Sequence, residues 1–364
     1  NREFRTGHKV VRVLMKDGVP TGEYEDFLTG FIVNDGDAWG RPVSNVIAKD
    51  GSMLLSDDGA NLVYRISTVA PSISIPGDRV FPESLTSAPD GSVYVGSIGA
   101  RAIFRARPGA AVAEQWIAPG EDAPAGYLGV FADALHGTLW ACSLAGPEGG
   151  KPVPSTLHAY DLKTGKAKGH YPMPTAGAAC NDAAVGADGS IYATDTANME
   201  VVRLAPGAKA LEVWVGQGAF GPKGGVLDGI AVLGDRVFVN TLATGKLFGV
   251  AIGKDGKAGK VAELKLDRPV DKPDGMRSFG TKELLIVEGG STGTGRLSRA
   301  VIDGDSAVLT TLQEGYPDGA VAVAVVGELA YVVEAQFGAM RGAPGTPTKP
   351  FRATAVEVGK PQGR

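Results

Sequence analysis

The stretch Phe81-Pro82-Glu83-Ser84-Leu85-Thr86-Ser87-Ala88-Pro89-Asp90-Gly91-Ser92-Val93-Tyr94-Val95-Gly96-Ser97 decides the fold. It reads as a short strand, a tight Asp90-Gly91 turn and a second strand, because Asp-Gly between alternating apolar runs is a strong hairpin signal. Glu83 stands seven residues before the turn aspartate. The pattern returns with Asn181 seven before Asp188 and with Asp228 seven before Asp235. Looser copies start at Asp274, in Lys272-Pro273-Asp274-Gly275, and at Asp318, in Tyr316-Pro317-Asp318-Gly319.

Taking that position as a register mark gives Glu83, Gly129, Asn181, Asp228, Asp274 and Asp318, with His136-Gly137 standing in for Asp-Gly in the second unit. The intervals are 46, 52, 47, 46 and 44 residues. A period in the forties, with about four short strands per unit, is the mark of a β-propeller. The expected fold is all-β: a six-bladed propeller over 71–358, preceded by a partial β unit over 1–70 and followed by a tail over 359–364. A seven-bladed ring absorbing residues 40–67 is the alternative. The last unit offers three strands, so the stretch around 73–75 is expected to add the outer one and close the ring. The Gly- and Pro-rich stretch 338–350 reads as a loop.

Composition agrees. Gly is frequent (53) and Pro common (23), yet 43% of residues are apolar, which suits many short strands and tight turns rather than a disordered chain. A net charge of −4 without blocks of like charge argues against nucleic acid or an anionic membrane and leaves a small molecule as the expected partner. Composition does not set the oligomeric state. No apolar run has the length of a membrane span. Cys142 and Cys180 do not make a disulfide scaffold; a single bridge between them needs a spatial proximity that sequence does not show, and two free, partly buried thiols is the favoured reading. The chain opens on Asn1-Arg2, without an initiator Met, just before a strand-like run at 9–15. It reads as a piece of something longer, and this end does not give a compartment.

The first unit carries its own pattern. Residues 8–15 alternate as a strand, Lys16-Asp17-Gly18 turns, and 22–28 returns; a strand at 44–48, an Asp50-Gly51 turn, 52–59 and 62–66 follow. Gly7-His8-Lys9-Val10-Val11-Arg12-Val13, Tyr24-Glu25-Asp26-Phe27-Leu28-Thr29-Gly30-Phe31, Asp37-Ala38-Trp39-Gly40-Arg41-Pro42-Val43 and Ser56-Asp57-Asp58-Gly59 carry a likeness. This unit resembles the C-terminal end of the pyrroloquinoline-quinone-dependent sugar (glucose/sorbosone) dehydrogenases over nearly all of 1–67. Only that family's last strands are covered. Arg2 and Arg41 are read as structural rather than as relics of a quinone rim.

In a propeller the innermost strand of each blade runs along the central channel. Glu83, Asn181 and Asp228 open such strands on three blades, so they converge although 98 and 47 residues apart. Two carboxylates and an amide oxygen form a hard-oxygen set suited to calcium first, then magnesium, manganese or zinc. His8, His136, His158 and His170 lack the spacing of a zinc site. An acid at a strand start often only pins a turn; three of matching type and register favour a metal. Asp274 and Asp318 sit in Pro-Asp-Gly, itself a turn signature, and serve either the turn or an outer-sphere role.

Phe81-Pro82-Glu83-Ser84, Cys180-Asn181-Asp182-Ala183-Ala184-Val185 and Leu227-Asp228-Gly229-Ile230-Ala231-Val232 resemble the Glu, Asn-Asp and Asp-Gly motifs of the regucalcin/gluconolactonase (senescence marker protein) family, over roughly 78–358. The resemblance implies a divalent cation at the channel mouth held by Glu83, Asn181 and Asp228, lactone or ester hydrolysis, and Asp228 as both ligand and general base. Sugar-lactone hydrolases of that family carry a polar stretch in the second blade, whereas this chain has the mostly apolar Tyr127-Leu128-Gly129-Val130-Phe131-Ala132-Asp133. The expected substrate is therefore less polar than a sugar lactone, in a pocket lined by Tyr127, Leu128, Phe131, Asp274 and Asp318. Tyr127, Leu128 and Phe131 read equally as core. The functional expectation is a metal-dependent lactonase or esterase; the alternatives are a non-catalytic metal-containing propeller that binds a ligand or protein, or a remnant of a quinone-dependent dehydrogenase.

Overall fold

The central strands are rich in apolar residues because both of their faces are covered. In the run Glu283–Glu288, Leu284 and Ile286 join one apolar cluster while Leu285 and Val287 join the next. That period of two is what a strand sandwiched between neighbours requires. The computed structural model describes residues 7–361 except 35–36, 49–51, 67–70, 121–122, 124, 290–293 and 344. Arg2 and the Asp50-Gly51 turn fall outside the described residues. The chain separates into two compact units, Asn1–Val69 and Ala70–Arg364.

The longer unit is a six-bladed propeller. Its innermost strands are Pro82–Ser87, Tyr127–Asp133, Cys180–Val185, Leu227–Leu233, Met276–Phe279 and Ala320–Val326, for blades 1 to 6. Each opens an antiparallel meander of four strands, and blade 5 gains a short parallel fifth, Lys265–Leu266. Each inner strand packs on the next, and that of blade 6 packs on that of blade 1. One apolar cluster fills each of the six blade interfaces. Ser72–Ile75 pairs with Phe351–Glu357 as the outer strand of blade 6, so the two ends of the propeller sequence share one sheet, as expected. The ring closes on six blades, not seven.

The shorter unit holds a hairpin, Val10–Lys16 with Val19–Leu28, and a three-stranded sheet, Pro42–Ile47, Met53–Asp57 and Leu62–Ile66. Asp17 and Gly18 are both left-handed (φ 51° and 80°), as a two-residue turn matching the strand twist demands. Phe31, Trp39 and Tyr64 cluster here, and Arg41 forms a fork with Asp58 at 2.6 and 2.9 Å.

Two expectations are corrected. Part of the stretch at 338–350 is helical, Phe337–Arg341. The cysteines are not free: Cys142 and Cys180 form a disulfide (S–S 2.01 Å) from the second strand of blade 2 to the inner strand of blade 3. Their separation of 38 residues hides the fact that adjoining blades bring these positions together.

Candidate metal centre

A register shift disrupts the start of the inner strand in blades 1, 2, 3, 4 and 6, between Pro82 and Ser84, Tyr127 and Val130, Cys180 and Ala183, Leu227 and Ile230, and Ala320 and Ala322. Bulges re-aim side chains, and the candidate ligands sit on them. The residue that directly follows Pro82, Tyr127, Cys180, Leu227, Pro273 and Ala320 sets one level around the ring, and it reads Glu83, Leu128, Asn181, Asp228, Asp274 and Val321. Gly129 and Asp318 therefore do not mark this level; Leu128 and Val321 do. Phe81, Val226 and Lys272, two residues before Glu83, Asp228 and Asp274, are left-handed (φ 45°, 58° and 43°). That conformation is costly for a side chain and is held where a site needs it.

The second position of the bulge is small for a steric reason. A Cβ on Gly129 would lie 2.3 Å from the Asn181 carbonyl oxygen, and one on Gly229 would lie 2.4 Å from that of Asp274. Glycine there lets the ligand-bearing backbones of adjoining blades approach.

Glu83, Asp228 and Asp274 each place a carboxylate oxygen within 4.8 Å of the others. All are 5–8% exposed, as is Asn181. The Asn181 amide donates to Asp228, and the Asp274 carboxyl also hydrogen-bonds it. Burial, reinforced by the Asp182 charge, pushes Asp228 up to about 7 against those hydrogen bonds. Burial, then Asp228 and Asp182, raises Glu83 well above the usual carboxylate range, while Arg277 opposes this. Burial, then Asp228 and Glu83, raises Asp274 likewise. Three buried carboxyls that resist ionising together, beside an amide, suit a hard cation.

The scaffold around them is hydrogen-bonded. Thr194 Oγ1 donates to the Asp228 carbonyl at 2.7 Å, and Asn240 Nδ2 to the Asp274 carbonyl at 2.7 Å. Asp195 accepts the Ala179 N–H at 3.0 Å, just ahead of Asn181.

Of the remaining residues named from sequence, Asp274 belongs to the cluster and Asp318 does not. Asp318 pairs with Lys349 at 2.5 Å beside a separate cavity of about 290 Å³. Tyr127 is core: its hydroxyl meets that of Tyr160 at 2.6 Å. Leu128 stands at the level of the acids and packs in the interface of blades 2 and 3. Phe131 lines a cavity of about 860 Å³ together with Ser87, Asp133, Val185 and Val325. Those residues end the inner strands, so this cavity opens at the mouth opposite the carboxyls.

Sequence reading missed Asp182 and Arg277, which form a buried ion pair at 2.6 Å. The available signal was Arg277 in an inner strand, at a register where the other blades carry Thr86, Phe131, Ala184, Ala231 and Ala324.

No family model matches the chain. A curated protein of unassigned function from Borreliella burgdorferi is 36% identical over 67 residues, which is 18% of this chain and 18% of that protein. Solved structures share the propeller. A Xanthomonas campestris gluconolactonase is 15% identical with a TM-score of 0.53, covering 84% of this chain and 90% of that one. An Agrobacterium tumefaciens regucalcin, described as a calcium-binding protein, is 13% identical with a TM-score of 0.53, covering 79% and 97%. A quinone-bound aldose sugar dehydrogenase from Streptomyces coelicolor is 16% identical with a TM-score of 0.53, covering 80% and 97%. That last likeness reaches far beyond residues 1–67, so it is one of propeller to propeller. One fold carries these different activities, and the site must decide among them.

Proposed function

We propose that this chain is a divalent-cation-dependent hydrolase of lactones or esters. The observation that carries the reading is the meeting of Glu83, Asp228 and Asp274, with Asn181 bonded to Asp228, at one mouth of the channel. These four residues would hold the cation, calcium being the first candidate because every donor is a hard oxygen. The regucalcin neighbour is described as calcium-binding and another neighbour as a gluconolactonase, which supports the same reading. When bound, such an ion supplies a Lewis acid for a carbonyl and acidifies a water.

The chain's own groups do the rest. Asp228 is ligand and base together: its carboxylate takes a proton from the attacking water. Asp274, its carboxylate oxygen within 4.8 Å of that of Asp228, offers that proton a second seat. The water oxygen joins the acyl carbon, the acyl C–O bond breaks, and the proton passes to the departing oxygen. Asn181 fixes the orientation of the Asp228 carboxylate through its amide. Leu128 and Val321, packed in blade interfaces, leave two blades of this level without a polar side chain, which favours a substrate poorer in hydroxyls than a sugar lactone. Each hydroxyl left unpaired there would cost about 1–3 kcal/mol.

The test is hydrolysis of a panel of aliphatic and aromatic lactones and esters, with chelator and with calcium, manganese or zinc restored, for wild type and Asp228→Ala. Turnover that needs metal and is lost in Asp228→Ala is expected. Turnover surviving both treatments would place the chemistry elsewhere. Metal binding without any turnover would support a binding propeller instead.

A further inference from the structure

Asp182 stands beside the cluster, next in sequence to Asn181. It occupies the second bulge position of blade 3, where the other blades carry Ser84, Gly129, Gly229, Gly275 and Ala322. It is 4% exposed, and its charge helps raise Glu83, Asp228 and Asp274. A carboxylate adjoining a candidate ligand is one that a cation can recruit. Its oxygens are instead held by other donors. Arg277 Nη1 donates to Oδ2 at 2.6 Å and Nη2 to Oδ1 at 3.2 Å, while the Ala183 N–H donates to Oδ1 at 2.9 Å.

Arg277 is itself fixed by several blades. It donates to the carbonyls of Met276 (2.8 Å), Leu85 (2.9 Å) and Val130 (3.0 Å) and to Ser84 Oγ (3.3 Å), and its guanidinium lies 5.9 Å from the Phe131 ring centre. These partners and Asp182 belong to blades 1, 2, 3 and 5. A planar group with five donors can meet a carboxylate and several carbonyls at once, whereas a lysine ammonium, with three, cannot.

We infer that Arg277 is a positioning residue that fixes the makeup of the cation site. By holding both oxygens of Asp182 it keeps that carboxylate out of the ligand set and leaves Glu83, Asn181, Asp228 and Asp274. The Asp182–Arg277 pair is neutral, so a cation meets three carboxylates rather than four. The inference rests on reading the cluster as a cation site.

The test uses the full chain as wild type, Asp182→Asn, Arg277→Gln and the double variant. Calcium affinity is read by calorimetry, and the waters on bound europium by luminescence lifetimes in H₂O and D₂O. Arg277→Gln is expected to bind calcium about tenfold more tightly and to lose about one europium-bound water as Asp182 enters the shell. Asp182→Asn, which leaves a bare guanidinium, is expected to bind about tenfold more weakly, and the double variant to return near wild type. Shifts of the single variants in the same direction, or an unchanged water count in Arg277→Gln, would overturn the inference. If Arg277→Gln does not fold, Arg277→Lys keeps the charge but opens the fork. It too should lose europium water, and an unchanged count there overturns the inference equally. A wild type that binds neither ion would remove the cation site itself, and this inference with it.

Discussion

Asp228 and Asp274, on adjoining blades, bring buried carboxylate oxygens within 4.8 Å of each other. Burial raises both above the ordinary carboxylate value, helped by the charge of Asp182 at Asp228 and by that of Asp228 at Asp274. This makes the metal-free protein sensitive to pH in a definite direction. Glu83, Asp228 and Asp274 all have folded-state pKa values above those of an unfolded chain, about 4. A carboxyl raised on folding contributes stability that is complete below the unfolded value and is lost as pH rises through the folded one. The chelated protein should therefore melt at progressively lower temperature from about pH 4 upward through about pH 7, the value for Asp228. Added calcium should restore more at pH 8 than at pH 5, because binding displaces protons. Thermal melts across that range, with and without calcium, check both statements. A calcium increment larger at pH 5 would contradict them.

Asp274 and Asp318 look alike in sequence, each in Pro-Asp-Gly, and the fold gives them different surroundings. Asp274→Asn should weaken calcium binding by at least about tenfold, since it removes one of three carboxylates from the cluster. Asp318→Asn should leave binding unchanged, because its carboxylate is paired with Lys349. At pH 8 the chelated Asp274→Asn protein should also melt higher than chelated wild type, one of three mutually repelling carboxyls having gone. Calorimetric titration and melts of both variants decide this; equal losses of affinity would show that Asp274 is no ligand.

Gly229 tests how tightly the blades must approach. Its added methyl would meet the Asp274 carbonyl oxygen at 2.4 Å and Asn240 Nδ2 at 2.8 Å. Gly229→Ala should cost about 1–3 kcal/mol of stability and weaken calcium binding by moving Asp228 away from Asp274. Gly120→Ala, where nothing lies within 4 Å, should do neither. Denaturant melts and calcium titrations of the pair measure both effects, and a Gly229→Ala protein indistinguishable from wild type would refute the close approach.

The repeat was legible because each blade is a local object. A strand, an Asp-Gly turn and a second strand are near in sequence, so Glu83, Asn181 and Asp228 fell into register from spacing alone. Two of the six marks slipped, at Gly129 and Asp318, because the spacing was counted from the turn. The ring level is instead set by the bulge, one or more residues away, at Leu128 and Val321. What the spacing could not carry was contact between blades. Arg277 and Asp182 are 95 residues apart and meet only because blades 3 and 5 both face the channel. Cys142 and Cys180 escaped for the same reason.

The disulfide offers a separation of stability from binding. Cys180 precedes Asn181, so loss of the bridge would unsettle the site if the bridge were what holds Asn181. Other bonds already hold that segment: Cys180 N–H to Ser155 Oγ at 2.8 Å, Ala179 N–H to Asp195 at 3.0 Å, and Asp182 N–H to Thr194 Oγ1 at 3.1 Å. The double replacement Cys142→Ala with Cys180→Ala should therefore lower stability by about 2–4 kcal/mol, as expected for opening a loop of this size. Calcium affinity in the folded double variant should stay within about threefold of wild type, a change well under 1.4 kcal/mol. Denaturant titration read beside calcium calorimetry checks the pair of statements. A variant that stays folded yet no longer binds calcium would mean that the bridge, and not the hydrogen bonds to Ser155, Asp195 and Thr194, sets the position of Asn181.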